Sequence, residues 1–110
     1  MDVTRIDNVK SNRGADAAAA DHLIAKCLAA AANGSSSAYF DLGVAYSTGS
    51  HGVGCDLIEA HKWFNLAAVN GYDDAAQCRA DVAEEMSARE IAEAQRRARV
   101  WLAAGERRAA

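Results

Sequence analysis

Residues 38–75 read AYFDLGVAYSTGSHGVGCDLIEAHKWFNLAAVNGYDDA and decide the fold of this chain. Apolar side chains recur at three- and four-residue steps on both sides of a glycine-rich turn, which predicts two amphipathic helices. The first stripe consists of Ala38, Leu42, Ala45 and Tyr46. The second consists of Ala60, Trp63, Phe64, Ala67 and Ala68. The stretch is therefore a helical hairpin, with Gly49, Gly52 and Gly54 in its turn.

Polar residues mark where the helices begin. Asp56 with Glu59, and Ser87 with Glu90, have the spacing of capping boxes at two helix starts. Residues 35–37 are three serines before the first helix and are typical of an N-cap. We therefore expect helices near 17–32, 37–48, 56–70 and 74–104, the last one broken near Ser87.

Two residues of the hairpin predict close packing. Gly43 lies inside a helix, where glycine costs about 1 kcal/mol relative to alanine. Such a cost is most easily explained if another helix backbone approaches Gly43 closely. Trp63 is expected to be buried between hairpins.

The hairpin is part of an internal repeat. Ala30–Gly34 reads AAANG and Ala67–Gly71 reads AAVNG, 37 residues later, and each is followed by an alanine four residues on. That period predicts stacked helix-turn-helix units. The flanking units are degenerate, since Lys26 stands where the pattern of residues 38–74 would place its tryptophan.

The hairpin closely resembles one unit of the Sel1-like repeat family, a tetratricopeptide-like family. The positions that carry the resemblance are Ala38, Leu42, Gly43, Tyr46, Gly49, Gly52, Val53, Asp56, Ala60, Trp63, Ala67, Ala68, Gly71 and Ala75. Two departures are an extra residue near Ser50–His51 and a glutamate, Glu59, where the family often has lysine. The resemblance implies an all-α fold, a short αα-hairpin solenoid with a C-terminal capping helix. It also implies a protein-interaction module, and a bacterial source.

The domain organisation follows from these patterns. Residues 1–15 are polar and lack periodicity, so we interpret them as a flexible leader. Residues 16–110 form the repeat domain, with one full repeat over 38–74 and degenerate units over 16–37 and 75–104. In the final helix, Ile91, Ala94, Ala98, Trp101 and Leu102 are expected to face inward.

Composition excludes several classes of protein. The 110 residues carry a net charge of −3, which argues against general nucleic-acid binding. The charge is uneven, with −6 on residues 1–88 and +3 on residues 89–110. No apolar run is long enough to cross a membrane, and the N-terminus lacks a signal-peptide pattern, so we expect a cytoplasmic protein.

No pattern indicates catalysis, a cofactor or a metal. The three cysteines, Cys27, Cys55 and Cys78, form no Cys-x-x-Cys motif and are interpreted as small buried thiols. His51 and Cys55 are four residues apart with His61 nearby, but a glycine-rich turn does not align ligands as a helix does. A surface histidine and a packed cysteine is the preferred interpretation.

The interpretation as a binding module requires a surface. In repeat solenoids the first helices of successive hairpins line the concave side. Subtracting the core stripes leaves seven candidate partner-binding residues: Tyr39, Phe40, Val44, Ser47, Gln77, Asp81 and Glu84. Aromatic groups beside carboxylates suit a peptide or helix with apolar and basic residues. The alternative for Phe40 and Tyr39 is that they pack against the neighbouring hairpin.

Two further alternatives stay open. One is a small ligand-binding or hydrolytic protein on the same scaffold, since some secreted family members act on β-lactams. Those members are exported and disulfide-linked, and neither feature is indicated here. The other concerns the N-terminal helix, whose apolar stripe predicts docking of a second copy, giving a homodimer, or of another protein.

Overall fold

The computed structural model describes residues 23–109, with side chains described up to residue 105. These residues form helices and turns and contain no β-strand, which confirms the all-α prediction for this part of the chain. The helices are α1 (residues 23–32), α2 (Ser36–Thr48), α3 (Leu57–Val69), α4 (Ala75–Ala83) and α5 (Ala88–Ala109). None of them is both long and apolar enough to cross a membrane. The leader predicted over 1–15, and the predicted start of the first helix, lie outside the described residues.

The helix starts are capped largely as predicted. Ser35 caps α2, its Oγ accepting a hydrogen bond of 3.3 Å from the amide of Ala38. Ser87 and Glu90 form a complete capping box at α5, with reciprocal bonds of 2.8 and 3.1 Å. These side chains satisfy amide groups that the first turn of a helix leaves unpaired.

The capping box at α3 is only half formed. Asp56 accepts a hydrogen bond of 3.2 Å from the amide of Glu59. The amide of Asp56 instead donates to the carbonyl of Tyr46 at 2.9 Å. The carboxylate of Glu59 is thereby free to bond to Lys62 and Arg97.

The two halves of the internal repeat adopt the same turn. Gly34 and Gly71, 37 residues apart, have φ angles of 84° and 85°, the left-handed region that favours glycine. The amide of Gly34 donates to the carbonyl of Ala31 at 2.9 Å, and that of Gly71 to Ala68 at 3.0 Å. Each turn closes the end of one helix and directs the chain into the next, α1 into α2 and α3 into α4.

Helix α3 is the centre of the described structure, because α2, α4 and α5 all pack against it. Ala60 and Phe64 contact the α4 residue Val82, and Asn65 accepts a hydrogen bond of 2.6 Å from Arg79. Helix α5 packs against a different side of α3, which carries Glu59, Lys62 and Trp63. Helices α4 and α5 therefore make little contact with each other.

The core between α2, α3 and α5 is aromatic. Trp63 is 2% exposed, as predicted, and its ring stacks on Tyr39 at a centroid distance of 5.9 Å. Trp101 of α5 meets Trp63 edge-on at 4.9 Å, and its Nε1 donates to the hydroxyl of Tyr39 at 3.1 Å. Such ring pairs add about 0.5–1.5 kcal/mol to the burial of apolar area. This cluster fixes α5 on the rest of the fold.

Gly43 lies at a close contact, but its neighbour differs from the prediction. A Cβ atom at this position would lie 2.5–2.9 Å from three carbon atoms of the Phe64 ring. The group that requires glycine is therefore a buried side chain of α3 and not a helix backbone. Leu102 also differs from prediction, because it is 39% exposed while Ala94 and Ala98 fill the inner face of α5.

Candidate functional site

The predicted partner-binding residues lie on two helices that flank one ridge of α3. Phe40 and Tyr46 of α2 pack against the cluster of Ala60, Phe64 and Val82, and so do Cys78 and Met86 from α4 and its end. Helices α2 and α4 thus pack against the same part of α3, although they make little direct contact with each other. We call the outward residues of these helices the α2–α4 face; they are Val44, Ser47, Gln77, Asp81 and Glu84.

Tyr39 does not belong to this face. It is 3% exposed and lies in the core, where its ring stacks on Trp63 and its hydroxyl bonds to Trp101. Its assignment as a partner-binding residue is therefore wrong. The reason is that α2 is covered from several directions, so that a second row of side chains beside the Leu42 stripe is also buried.

Phe40 is half-buried and lies between α3 and the turn that precedes α4. Its ring stacks on Tyr72, just before α4, at a centroid distance of 4.4 Å, and contacts Phe64 at 5.5 Å. The alternative interpretation, that Phe40 packs within the fold, agrees with these contacts in part, although they are made to α3 of its own hairpin and to the turn before α4. Only the outer part of the ring remains available to a partner.

The five residues of the α2–α4 face are accessible in different degrees. Val44 is 36% exposed, an apolar group at the surface of α2. Ser47 is half-buried, and its hydroxyl donates to the carbonyl of Val44 at 3.0 Å. On α4, the amide of Gln77 donates to the carboxylate of Asp81 at 2.9 Å, while Glu84 is exposed at the end of the helix.

The electrostatic field of this region is negative. Asp73, Asp74, Asp81, Glu84 and Glu85 are all exposed, and Arg79, the only cation of α4, is turned toward Asn65 of α3. The pKa of the Cys78 thiol is raised, first by burial and then by the negative charges of Asp81 and Asp74. The face therefore combines one exposed valine with carboxylates that take part in no ion pair among the described residues.

A cleft flanks α2 on the side of α1. It has a volume of about 450 Å³ and lies between α1 and α2. Its lining residues are Leu23, Ile24, Cys27, Phe40, Asp41, Val44, Ala45 and His51. Phe40 and Val44 thus border both this cleft and the α2–α4 face.

The cysteines and histidines are dispersed. Cys27 and Cys78 are half-buried, but Cys55 is exposed, with its Sγ 3.6 Å from the carbonyl of Ser47, so its prediction as a buried thiol is wrong. Among residues 23–105, no three His, Cys, Asp or Glu side chains lie close enough to hold a metal ion. His51 is exposed whereas His61 is buried in α3.

An ion cluster lies between α3 and α5, and of its contacts the sequence predicts only the Glu93–Arg97 pair, by its four-residue spacing. Glu59 accepts bonds from Lys62 at 2.9 Å and Arg97 at 2.8 Å, and Glu93 binds both Arg96 and Arg97. Hydrogen bonds from Arg96 and Arg97 lower the pKa of Glu93 to about 2. Burial opposes ionisation of Glu59, but bonds from Lys62 and Arg97 outweigh it and lower the pKa. The Glu93–Arg97 spacing was recognisable on one helix, whereas the Glu59–Arg97 contact joins residues far apart in sequence.

Comparison of the chain with models of known families, with curated proteins and with solved structures finds no match. The residues and their geometry therefore carry the argument on function.

Proposed function

We propose that this chain is a Sel1-like repeat protein that acts as an adaptor, binding a basic peptide or helix of another protein through the α2–α4 face. The observation that carries the proposal is the surface chemistry of that face. It presents exposed Val44 on α2 and exposed Asp81 and Glu84 at α4, and the two carboxylates take part in no ion pair among residues 23–105. A partner with apolar anchors and cationic neighbours complements such a surface.

The repeat interpretation is supported by the matching turns at Gly34 and Gly71. Ala38 and Ala75, which follow these turns at equivalent positions, are 5% and 0% exposed. A unit that recurs with the same turn and the same buried residue is typical of a helical repeat array, in which neighbouring units complete one core. In such an array α2 and α4 would be successive first helices on the concave side, and α5 the C-terminal capping helix.

The cleft between α1 and α2 extends the proposed surface. Its volume of about 450 Å³ is within the range of about 300–1,000 Å³ that is usual for ligand sites. An apolar side chain of the partner would enter it beside Val44. The carboxylate of Asp41 in its lining adds to the preference for a basic partner.

The test is affinity capture from the native host followed by mass spectrometry, with two variants of equal net charge. Asp81→Asn with Glu84→Gln neutralises the face, while Ala92→Lys with Gln95→Lys adds the same charge to exposed positions of α5. We expect a partner that is retained by the wild type and the α5 variant and lost by the face variant. A partner set that is the same for all three proteins, or absent from all, contradicts the proposal.

A further inference from the structure

A cleft of about 270 Å³ lies between α3 and α5, and no residue of the α2–α4 face lines it. Its lining residues are Lys62 of α3 and Arg96, Arg97, Val100, Trp101 and Ala104 of α5. Cations thus occupy one part of the cleft and apolar side chains the other.

The cations of this cleft outnumber the carboxylates that bind them. Lys62 and Arg97 bond to Glu59, and Arg96 and Arg97 bond to Glu93. Three positive and two negative side chains leave one net positive charge. The Lys62 ammonium also lies 4.0 Å from the centroid of the Trp63 ring and 5.9 Å from that of Trp101.

The carboxylates order the two guanidinium groups without using all of their donors. Arg96 bonds to Glu93 through Nε and Nη2, and Arg97 uses Nε and Nη1 for Glu93 and Glu59. Neither Nη1 of Arg96 nor Nη2 of Arg97 takes part in these bonds. A guanidinium carries five N–H donors in a fixed fork that suits a carboxylate. Side chains held in place beforehand lose less conformational entropy when a ligand binds.

The apolar part continues along the same side of α5. Arg96, Val100 and Ala104 follow each other at four-residue steps, so they share one face of the helix. Val100 is 53% exposed, and Trp101 is half-buried beside it. An apolar group attached to an anion at Arg96 and Arg97 would cover this exposed valine.

We propose that the α3–α5 cleft binds a small organic carboxylate, with its anionic group at Arg96 and Arg97 and a short apolar or aromatic group against Val100 and Trp101. The cleft is slightly smaller than the usual range of about 300–1,000 Å³, which sets the limit to a small ligand. This site is independent of the protein-binding face, and either is testable without the other.

The test uses intrinsic fluorescence, because Trp101 lines this cleft and Trp63, the other tryptophan of the chain, packs edge-on against it at 4.9 Å. The probe is 4-phenylbutyrate, with 4-phenylbutanol as the neutral analogue and acetate as the anion without an apolar group. We expect a saturable change with the acid below about 10 mM. Added salt weakens the binding because it screens exposed charges. The alcohol and acetate give no saturation in this range.

Two arginine variants complete the test. Arg96→Gln removes a cation that lines the cleft, while Arg99→Gln removes an exposed cation of α5 outside it. We expect Arg96→Gln to weaken binding roughly tenfold, as loss of a charged hydrogen bond does, and Arg99→Gln to leave it unchanged. The proposal is overturned if the acid gives no saturable change, if the alcohol or acetate binds equally well, or if the two variants behave alike.

Discussion

At the scale of single residues, the contact between Gly43 and Phe64 limits what α2 can carry. Glycine inside a helix predicted a close approach, and the structure places one there. Sequence alone could not show that the approaching group is an aromatic ring, since that depends on the rotation of α3 about its own axis. Phe64 is 2% exposed, so its ring has little room to move aside.

Gly43→Ala should therefore destabilise the protein although alanine favours helices. The added methyl must displace the Phe64 ring, and overpacking of a core costs about 1–3 kcal/mol. Gly105→Ala in α5 is the matched control, because nothing lies within 4 Å of its added Cβ. It should stabilise by up to about 1 kcal/mol. Urea unfolding of both variants measures these changes in stability. Equal midpoints for Gly43→Ala and wild type would contradict the close packing of Gly43 against Phe64.

His61 gives a second expectation at this scale, because it is buried and charged neighbours are close. Burial, and then the nearby Arg79, lower its pKa from the ordinary value of 6.5. Its Nδ1 has no hydrogen-bond partner among the described residues that would favour the protonated form. The unfolded chain therefore binds a proton at higher pH than the folded chain does.

Stability should consequently fall as the pH is lowered from about 7 to about 5.5, since the unfolded state takes up more protons over that interval. His61→Gln should reduce this slope. His51→Asn is the matched control, in which an exposed histidine is replaced by a residue that tolerates its φ of 57°. Unfolding midpoints at several pH values measure the slopes, and a slope that persists in His61→Gln would assign it to other groups.

At the scale of elements, α5 shows which structural features can be predicted from a sequence pattern and which cannot. The Ser87–Glu90 box correctly predicted where α5 begins. The stripe of small and aromatic residues predicted that one face is buried. It did not predict that α5 packs against the Glu59 side of α3, because that choice depends on Trp101 reaching Tyr39 and Arg97 reaching Glu59. Contacts between residues that are far apart in sequence produce no recognisable pattern in either segment.

Trp101→Ala should loosen α5 from the rest of the fold. It removes the edge-on contact with Trp63 and the bond to Tyr39, so we expect a loss of about 2–4 kcal/mol. Leu102→Ala is the matched control, since Leu102 is 39% exposed and its loss should cost less than about 1 kcal/mol. Hydrogen exchange should show faster exchange of α5 amides in Trp101→Ala alone. Equal exchange in both variants would show that the aromatic cluster does not anchor α5.

At the scale of the whole molecule, the sequence predicted the acidic character of the candidate site but not all of the residues that belong to it. Asp81, Glu84 and Gln77 are exposed as the helical pattern indicated, because α4 packs through a narrow stripe ending in Val82. The burial of Tyr39 was not predicted. Helix α2 packs on α3, and its Tyr39 also contacts α5, so the buried face of α2 is wider than one stripe. A periodic pattern identifies one stripe, whereas the number of neighbours of a helix is a property of the assembled fold.

The exposed side of α1 leads to a prediction on self-association. Leu23 and Leu28, two members of the apolar stripe of this helix, are 40% and 37% exposed, so part of the stripe lies at the surface. Apolar side chains left at the surface favour association because contact removes them from water. We therefore expect light scattering to give a mass that rises with protein concentration, and Leu23→Glu with Leu28→Glu to restore the monomer mass. Val69→Glu is the control, since Val69 is 65% exposed at the end of α3, away from α1 in sequence, and should leave the association unchanged. A monomer mass at all concentrations, with the leucine variants as stable as the wild type, would mean that α1 needs no partner from a second copy.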